Sequence, residues 1–145
     1  MTLPSFAALG NQKLVVPSSK KPFVAVDEHF LQQLMLPLLD LIKVEETWYL
    51  KQYPDVEAAI INGVVPDAKT HYTRFGYFEH RLPYAIQINE SWYLEEYPDI
   101  RDAVAAKAFT SGQHHFETVG YREGRFPYPG FEFQTVARKT LAMAS

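Results

Sequence analysis

The chain contains the same pattern of residues twice. Residues 44–84 and 88–128 align without a gap, at an offset of 44 residues. The shared pattern is Trp-Tyr-Leu, then Tyr-Pro-Asp, then a histidine, Gly-Tyr and Glu-x-Arg-x-Pro-Tyr, and it runs from Trp48 to Tyr84 and from Trp92 to Tyr128. A repeat of this length usually corresponds to one supersecondary unit packed on its copy. The pattern therefore favours a binding or scaffolding surface over a single asymmetric catalytic pocket.

Composition limits the class of protein. A chain of 145 residues can form one compact domain, or two small repeats that share a core. Cysteine is absent, which excludes disulfides and thiolate metal sites and fits a reducing compartment. The first 16 residues do not resemble a signal peptide. The apolar run 30–42 is shorter than the about 20 residues that a membrane-spanning helix needs. We therefore expect a cytoplasmic protein without a transmembrane segment.

The charge distribution argues against nucleic acid as a partner. The net charge is −3, and both copies of the repeat are mildly acidic, whereas the flanking residues are slightly basic. A surface that follows a phosphate backbone needs clustered lysine and arginine. The flanks are too weakly basic to predict binding to nucleic acid or to anionic lipid.

Periodicity and capping residues predict an all-α fold. It consists of two tandem three-helix repeats (44–87 and 88–128), preceded by an amphipathic helix (27–43) and a short extended or hairpin arm (1–26). The first helix of each repeat follows Glu45 or Asn89, the second starts at Pro54 or Pro98, and the third follows Asp67 or Ser111. Gly76 and Gly120 are predicted to end the third helices in a left-handed conformation. The tail (129–145) could form a last helix through Val136 and Leu141.

Residues 27–43 form the most apolar segment. Asp27 is a candidate N-cap, and Leu31, Leu34 and Leu38 follow helical spacing. Pro37 predicts a kink or two short helices, because proline removes a backbone donor. A helix this apolar should be buried, either in the core or in the interface of a homodimer. Leu31, Leu34 and Leu38 are the predicted interface residues.

The repeated pattern resembles a known bacterial helical repeat. That repeat reads roughly WYL-x-x-YPDV, then HY-x-x-x-G, then EGR-x-P, and both copies match it over about residues 44–130. Such repeats accompany glycosyltransferases and some methyltransferases of surface polysaccharide assembly. The resemblance implies a protein partner from polysaccharide assembly, and leaves residues 1–43 unexplained. The chain departs from the pattern at His80, where the family has glycine, and Lys107 stands where the first copy has Gly63.

Aromatic residues are the first candidates for binding. Trp48, Tyr49, Trp92 and Tyr93 could stack on sugar rings, because aromatic faces combine apolar area with a polar group. Alternatively, Trp48 and Trp92 belong to the core of each repeat. Tyr49 and Tyr93 are expected to reach the surface more readily than the tryptophans, or alternatively to form a hydrophobic staple at the start of the helix.

Histidine and arginine also recur. His71 and His115 could act as bases, metal ligands or pH switches, but packed histidines are the simpler interpretation. Arg81 and Arg125 could bind a carboxylate or phosphate with a guanidinium fork, or could form structural ion pairs with Glu79 and Glu123.

No catalytic motif is present in the sequence. It contains neither a glycine-rich phosphate loop nor a nucleophile elbow. We therefore predict no catalytic residues, no metal and no cofactor. The leading hypothesis is a non-catalytic interaction module that scaffolds a protein of polysaccharide assembly, with a homodimer as one form it could take. The alternative is a carbohydrate-binding module that uses the repeated aromatics, and an enzyme is the third possibility.

Overall fold

The protein is mainly helical, with one small sheet, as the sequence predicts. A computed structural model describes residues 6–20 and 23–131. The predicted helix through Val136 and Leu141 lies outside these residues. Among the described residues, no helix is long and apolar enough to cross a membrane.

The N-terminal arm contains a helix and a hairpin. Helix α1 (Phe6–Asn11) precedes strands β1 (Val15–Pro17) and β2 (Val24–Val26), which pair antiparallel with Val16 opposite Ala25. The hairpin fits the β-prone runs and the Pro-Ser-Ser turn between them. The helix was not predicted, because its six residues are too few for a recognisable apolar period.

Helix α2 (Glu28–Leu39) follows the hairpin directly. Asp27 caps it as predicted, since its side chain accepts a hydrogen bond of 2.9 Å from the amide of Phe30. Of the kink or two short helices predicted at Pro37, the two short helices are wrong, because α2 is one helix from Glu28 to Leu39. Pro37 lies in the last turn, where the amide of Asp40 still donates to the carbonyl of Leu36 at 2.9 Å. A proline so close to the end interrupts little of the helix.

Residues 44–87 (segment 1) and 88–128 (segment 2) contain corresponding elements. Segment 1 has α3 (Glu46–Gln52), α4 (Pro54–Ile61) and α5 (Ala68–His71), which continues as a π-helical turn over Tyr72–Gly76. Segment 2 has α6 (Glu90–Glu96), α7 (Pro98–Ala105) and α8 (Gly112–His115), which continues as a π-helical turn over Phe116–Gly120. Each element of segment 2 therefore begins 44 residues after its counterpart.

The predicted left-handed conformation of Gly76 and Gly120 is wrong. Both glycines end a π-helical turn, and neither is among the residues with positive φ. The left-handed positions follow them, at His80 (φ 60°) and Gly124 (φ 76°). Gly63 (φ 71°) and Lys107 (φ 62°) form a second such pair after α4 and α7. Loop geometry is therefore the same in both segments, although one member of each pair carries a Cβ.

Each segment has its own apolar core. In segment 1 the buried residues are Tyr49, Val56, Ala68 and Tyr72. In segment 2 they are Tyr93, Ile100 and Phe116, together with Leu82 and Ile86 from the last residues of segment 1 (82–87), which we call the linker. Trp48 packs against both cores, so it joins the two segments. The burial of Leu82 and Ile86 under segment 2 makes the junction part of the core.

Candidate functional site

A buried tyrosine–histidine pair lies at the centre of each segment. The hydroxyl of Tyr49 is 3.0 Å from Nδ1 of His71, and that of Tyr93 is 2.9 Å from Nδ1 of His115. Both tyrosines are 0% exposed, and the histidines are 8% and 2% exposed. Helices α3 and α6 supply the tyrosines, and α5 and α8 supply the histidines. A substrate cannot reach these groups in this conformation.

Burial determines the protonation of both pairs. It lowers the pKa of His71 and of His115, and the positive charges of Arg81 and Arg125 lower these pKa values further. Burial also raises the pKa of both tyrosines above the usual range. Both imidazoles are therefore neutral near pH 7, and the tautomer of each histidine sets which partner donates in its hydrogen bond with the tyrosine hydroxyl. This arrangement fits packed histidines that bond a neighbouring side chain.

The two π-helical turns bring glycine against the tyrosine hydroxyls. A Cβ at Gly76 would overlap the hydroxyl of Tyr49, and a Cβ at Gly120 would overlap that of Tyr93. In each turn the amide five residues later completes the widened turn, as between Tyr77 and Tyr72 at 2.9 Å. Glycine is needed here for close approach, not for its backbone freedom.

The recurring arginines bind carboxylates of their own segment. Arg81 donates to both carboxylate oxygens of Asp55 at 2.9 and 2.8 Å, and its Nε donates to Glu79 at 2.7 Å. Its guanidinium also lies 4.9 Å from the ring centre of Tyr53. Arg125 repeats every one of these contacts, with Asp99, Glu123 and Tyr97 as the partners. The guanidinium forks are thus occupied by internal ion pairs, and these lower the pKa of both aspartates.

The expectation that Tyr49 and Tyr93 would reach the surface is wrong. Their rings lie at the centre of the cores, because the hydroxyl of each has a buried histidine as its partner. Trp48 and Trp92 are instead the half-buried members of the aromatic pairs. Each tryptophan packs edge-on against a tyrosine of its own segment. The ring centres of Trp48 and Tyr53 are 6.3 Å apart, and those of Trp92 and Tyr97 are 6.1 Å apart.

The leucines of α2 are exposed. Leu31, Leu34 and Leu38 are 45%, 55% and 50% exposed, whereas the next residue, Leu39, is buried. We call these three residues the leucine face. The sequence predicted burial in the core or in a homodimer, and the described residues of one chain do not bury this face.

Lys69 stabilises the end of α2, because its Nζ contacts the carbonyls of Leu39, Asp40 and Ile42.

A groove of about 500 Å³ separates α2 from the two segments. Apolar residues of α2 form one side, and two recurring pairs of tyrosines lie on the other, namely Tyr77 with Tyr121 and Tyr84 with Tyr128. None of its described lining residues is charged. Burial, together with Tyr77, raises the pKa of Tyr121 to about 12. These tyrosines recur in the sequence, but their recurrence alone did not predict a site.

A second, polar cleft of about 490 Å³ lies at the junction of the segments. Glu79, His80 and Arg81 of segment 1 face Glu117 and Arg122 of segment 2 across it. Positive and negative side chains alternate there, so the cleft does not favour a ligand of one charge. Among the described residues, no group of three or more histidine or acidic side chains could hold a metal ion.

Comparisons with known protein families, with curated proteins and with solved structures find no match for this chain.

Proposed function

We propose that the chain is a non-catalytic interaction module built from two copies of one helical repeat. The recurring polar side chains support this function. His71, Arg81 and their counterparts His115 and Arg125 bind partners inside their own segment. A repeat that uses its polar residues internally offers its surface, and not a reactive group, to other molecules.

The leucine face is the observation that carries the proposal. Leu31, Leu34 and Leu38 project from one side of α2, and residues 30–39 contain no charged side chain. Exposed apolar patches of this kind usually mark protein–protein contacts. A second copy of the chain is the simplest occupant, because the same face on both subunits gives a closed two-fold interface.

The partner that we propose beyond this dimer comes from the resemblance to repeats of polysaccharide assembly. It is a cytoplasmic glycosyltransferase, or a protein associated with one. The repeats would hold the partner near its complex without contributing to catalysis. This part of the proposal depends on the sequence motifs Trp-Tyr-Leu, Tyr-Pro-Asp and Glu-x-Arg-x-Pro alone.

Light scattering coupled to size exclusion tests the dimer. We expect the mass of a dimer for the wild-type chain, and the mass of a monomer after Leu34→Glu with Leu38→Glu. Ile61→Glu with Val64→Glu is the matched control, because these side chains are 78% and 74% exposed on segment 1. A wild-type monomer, or equal loss of the dimer in the control, would show that the leucine face is not the contact.

Carbohydrate binding is a second candidate. It is favoured by the groove between α2 and the segments, which we call the tyrosine groove because Tyr77, Tyr84, Tyr121 and Tyr128 line it. Tyr84 and Tyr128 occupy corresponding positions, and each is 40% exposed on the rim of the groove. Aromatic rings so exposed can stack on the apolar faces of sugars. This differs from the sequence hypothesis, in which Tyr49 and Tyr93 take part.

Methyl NMR tests the sugar hypothesis. Met35 lines the groove, and its labelled methyl group can be assigned by comparison with Met35→Leu. Titration with bacterial oligosaccharides should shift this signal in the wild-type chain and not after Tyr84→Ala with Tyr128→Ala. A signal unmoved by the whole panel would remove this candidate and leave the interaction module.

A further inference from the structure

The two segments differ at the end that follows their last helix. Leu82, at the end of segment 1, is 1% exposed, because it packs into the core formed by Tyr93, Ile100 and Phe116. The corresponding residue of segment 2 is Phe126, which is 40% exposed. The same position is thus a core residue in one segment and a surface residue in the other.

Phe126 enters no further core within residues 6–20 and 23–131, and one side of it lines an open cleft with Glu28 and Gln32 of α2. Its aromatic neighbour is Phe131, with ring centres 6.4 Å apart. Ile86, which completes the junction after segment 1, corresponds to the exposed Gly130. We call Trp92, Phe126 and Gly130 the open end, because their counterparts Trp48, Leu82 and Ile86 pack against segment 2.

The beginning of segment 1 is covered, in contrast. Lys69 contacts the carbonyls of Leu39, Asp40 and Ile42 at the end of α2. Its counterpart Gln113 donates to the carbonyl of Ile86, in the linker that precedes segment 2, at 2.9 Å. The end of α2 therefore occupies, for segment 1, the place that the linker occupies for segment 2. A second copy of the chain cannot pack its open end there without displacing α2.

From this asymmetry we infer that the open end is a docking surface for a further helical repeat of the same type, carried by a different polypeptide. The inference rests on the proposal that segments 1 and 2 are copies of one repeat. The proposed contact between Phe126 and the partner's repeat has the same form as the junction between the segments, where Leu82 and Ile86 pack into the core of segment 2. The partner must supply an apolar core for Phe126 and have no helix like α2 over its first segment.

An extended chain tests whether the end accepts another repeat. A second copy of residues 88–131 is joined after Phe131, in place of residues 132–145. We expect the added copy to fold, with dispersed amide signals, and to raise the urea midpoint of the whole chain. An added copy that stays unfolded would overturn the inference, since the end would then have failed to receive a repeat.

Substitutions at Phe126 identify the contact. In the extended chain Phe126→Asp should remove most of the gain in urea midpoint, as Leu82→Asp should do at the existing junction. In the original chain Phe126→Asp should shift the midpoint little. Val64→Asp, at another exposed apolar site, is the control in both chains. A gain that survives Phe126→Asp would overturn the inference.

Truncation tests the other occupant, the chain's own C-terminus. A chain ending at Phe131 should keep the wild-type urea midpoint. A large loss of stability, matched by Phe126→Asp in the full chain, would mean that residues 132–145 cover the end, and would also overturn the inference. Neither result depends on Leu34 and Leu38, so failure here is distinguishable from failure of the proposed dimer.

Discussion

Replacing Gly76 by alanine should destabilise the protein, although alanine is the better helix former. The new Cβ would overlap the Tyr49 hydroxyl and lie 3.5 Å from Nδ1 of His71. Displacing the hydroxyl breaks a buried hydrogen bond, which costs about 1–3 kcal/mol. Overpacking of the core costs about 1–3 kcal/mol more. The helix propensity of alanine offsets about 1 kcal/mol of this. We expect a net loss of about 1–5 kcal/mol from these three contributions together.

A double-mutant cycle with Tyr49→Phe isolates the cause. Tyr49→Phe alone should cost about 1–3 kcal/mol, because Nδ1 of the buried His71 loses its partner. In that background Gly76→Ala should cost less than about 1 kcal/mol, since no hydroxyl remains to be displaced. Urea unfolding followed by circular dichroism gives all four free energies.

Segment 2 provides an internal comparison for the same cycle. A Cβ at Gly120 would overlap the Tyr93 hydroxyl and also lie 3.1 Å from Nδ1 of His115, closer than in segment 1. Removal of the hydroxyl by Tyr93→Phe should therefore rescue Gly120→Ala less completely. Equal cost of Gly76→Ala with and without the Tyr49 hydroxyl would refute the reasoning, as would a gain in stability from Gly76→Ala alone.

Three further predictions concern pH, backbone strain and the arginine contacts. Burial lowers the pKa of His71 and His115, so below about pH 6.5 the unfolded chain binds more protons than the folded chain. The free energy of unfolding should therefore decrease as the pH is lowered below about 6.5, and the two histidines should contribute fully to stability well above that pH. The urea midpoint should therefore be lower at pH 5.5 than at pH 7.5, and equal midpoints would contradict neutral buried histidines. His80→Gly should stabilise the chain by about 0.5–1 kcal/mol, because His80 has a φ of 60°, which glycine adopts without strain. Gly124→Ala should destabilise it by about 1 kcal/mol, because Gly124 has a φ of 76°. A lower melting temperature for His80→Gly than for Gly124→Ala would exclude backbone strain as the cause. Arg81→Lys should cost about 1 kcal/mol in urea unfolding, since lysine cannot make the paired contacts to Asp55 while lying over Tyr53, and a wild-type midpoint would mean that these contacts contribute nothing.

Local signals in the sequence predicted much of the fold. Asp27, Asp67, Asn89 and Ser111 cap helices as expected, because a short polar side chain can bond the free amides of the first turn. The prolines at 54 and 98 begin helices for a similar local reason. Such signals depend on neighbours within four residues, and they can be read without knowing the tertiary structure.

The site residues depended on contacts that the sequence does not reveal. The role of Gly76 follows from a tyrosine hydroxyl 27 positions earlier, and the local pattern of a glycine after a helix predicted a left-handed cap instead. The polar hydroxyl of Tyr49 favours a position at the surface, but in the fold it is hydrogen-bonded to His71 in the core. The tyrosine groove forms only where α2 lies across both segments, and no local pattern in the sequence places α2 there.

Comparison of the two segments separates packing from binding in this chain. Positions that are identical in both, such as Tyr49 with Tyr93 and Arg81 with Arg125, make the same internal contacts twice. They are therefore explained by the folding of each segment. At two positions that differ, the neighbours differ as well: Lys69 contacts the end of α2 whereas Gln113 contacts the linker, and Leu82 is buried whereas Phe126 is exposed. Because these two positions record what each segment packs against, a surface for a further repeat is best sought among such positions, and Phe126 is the first to test.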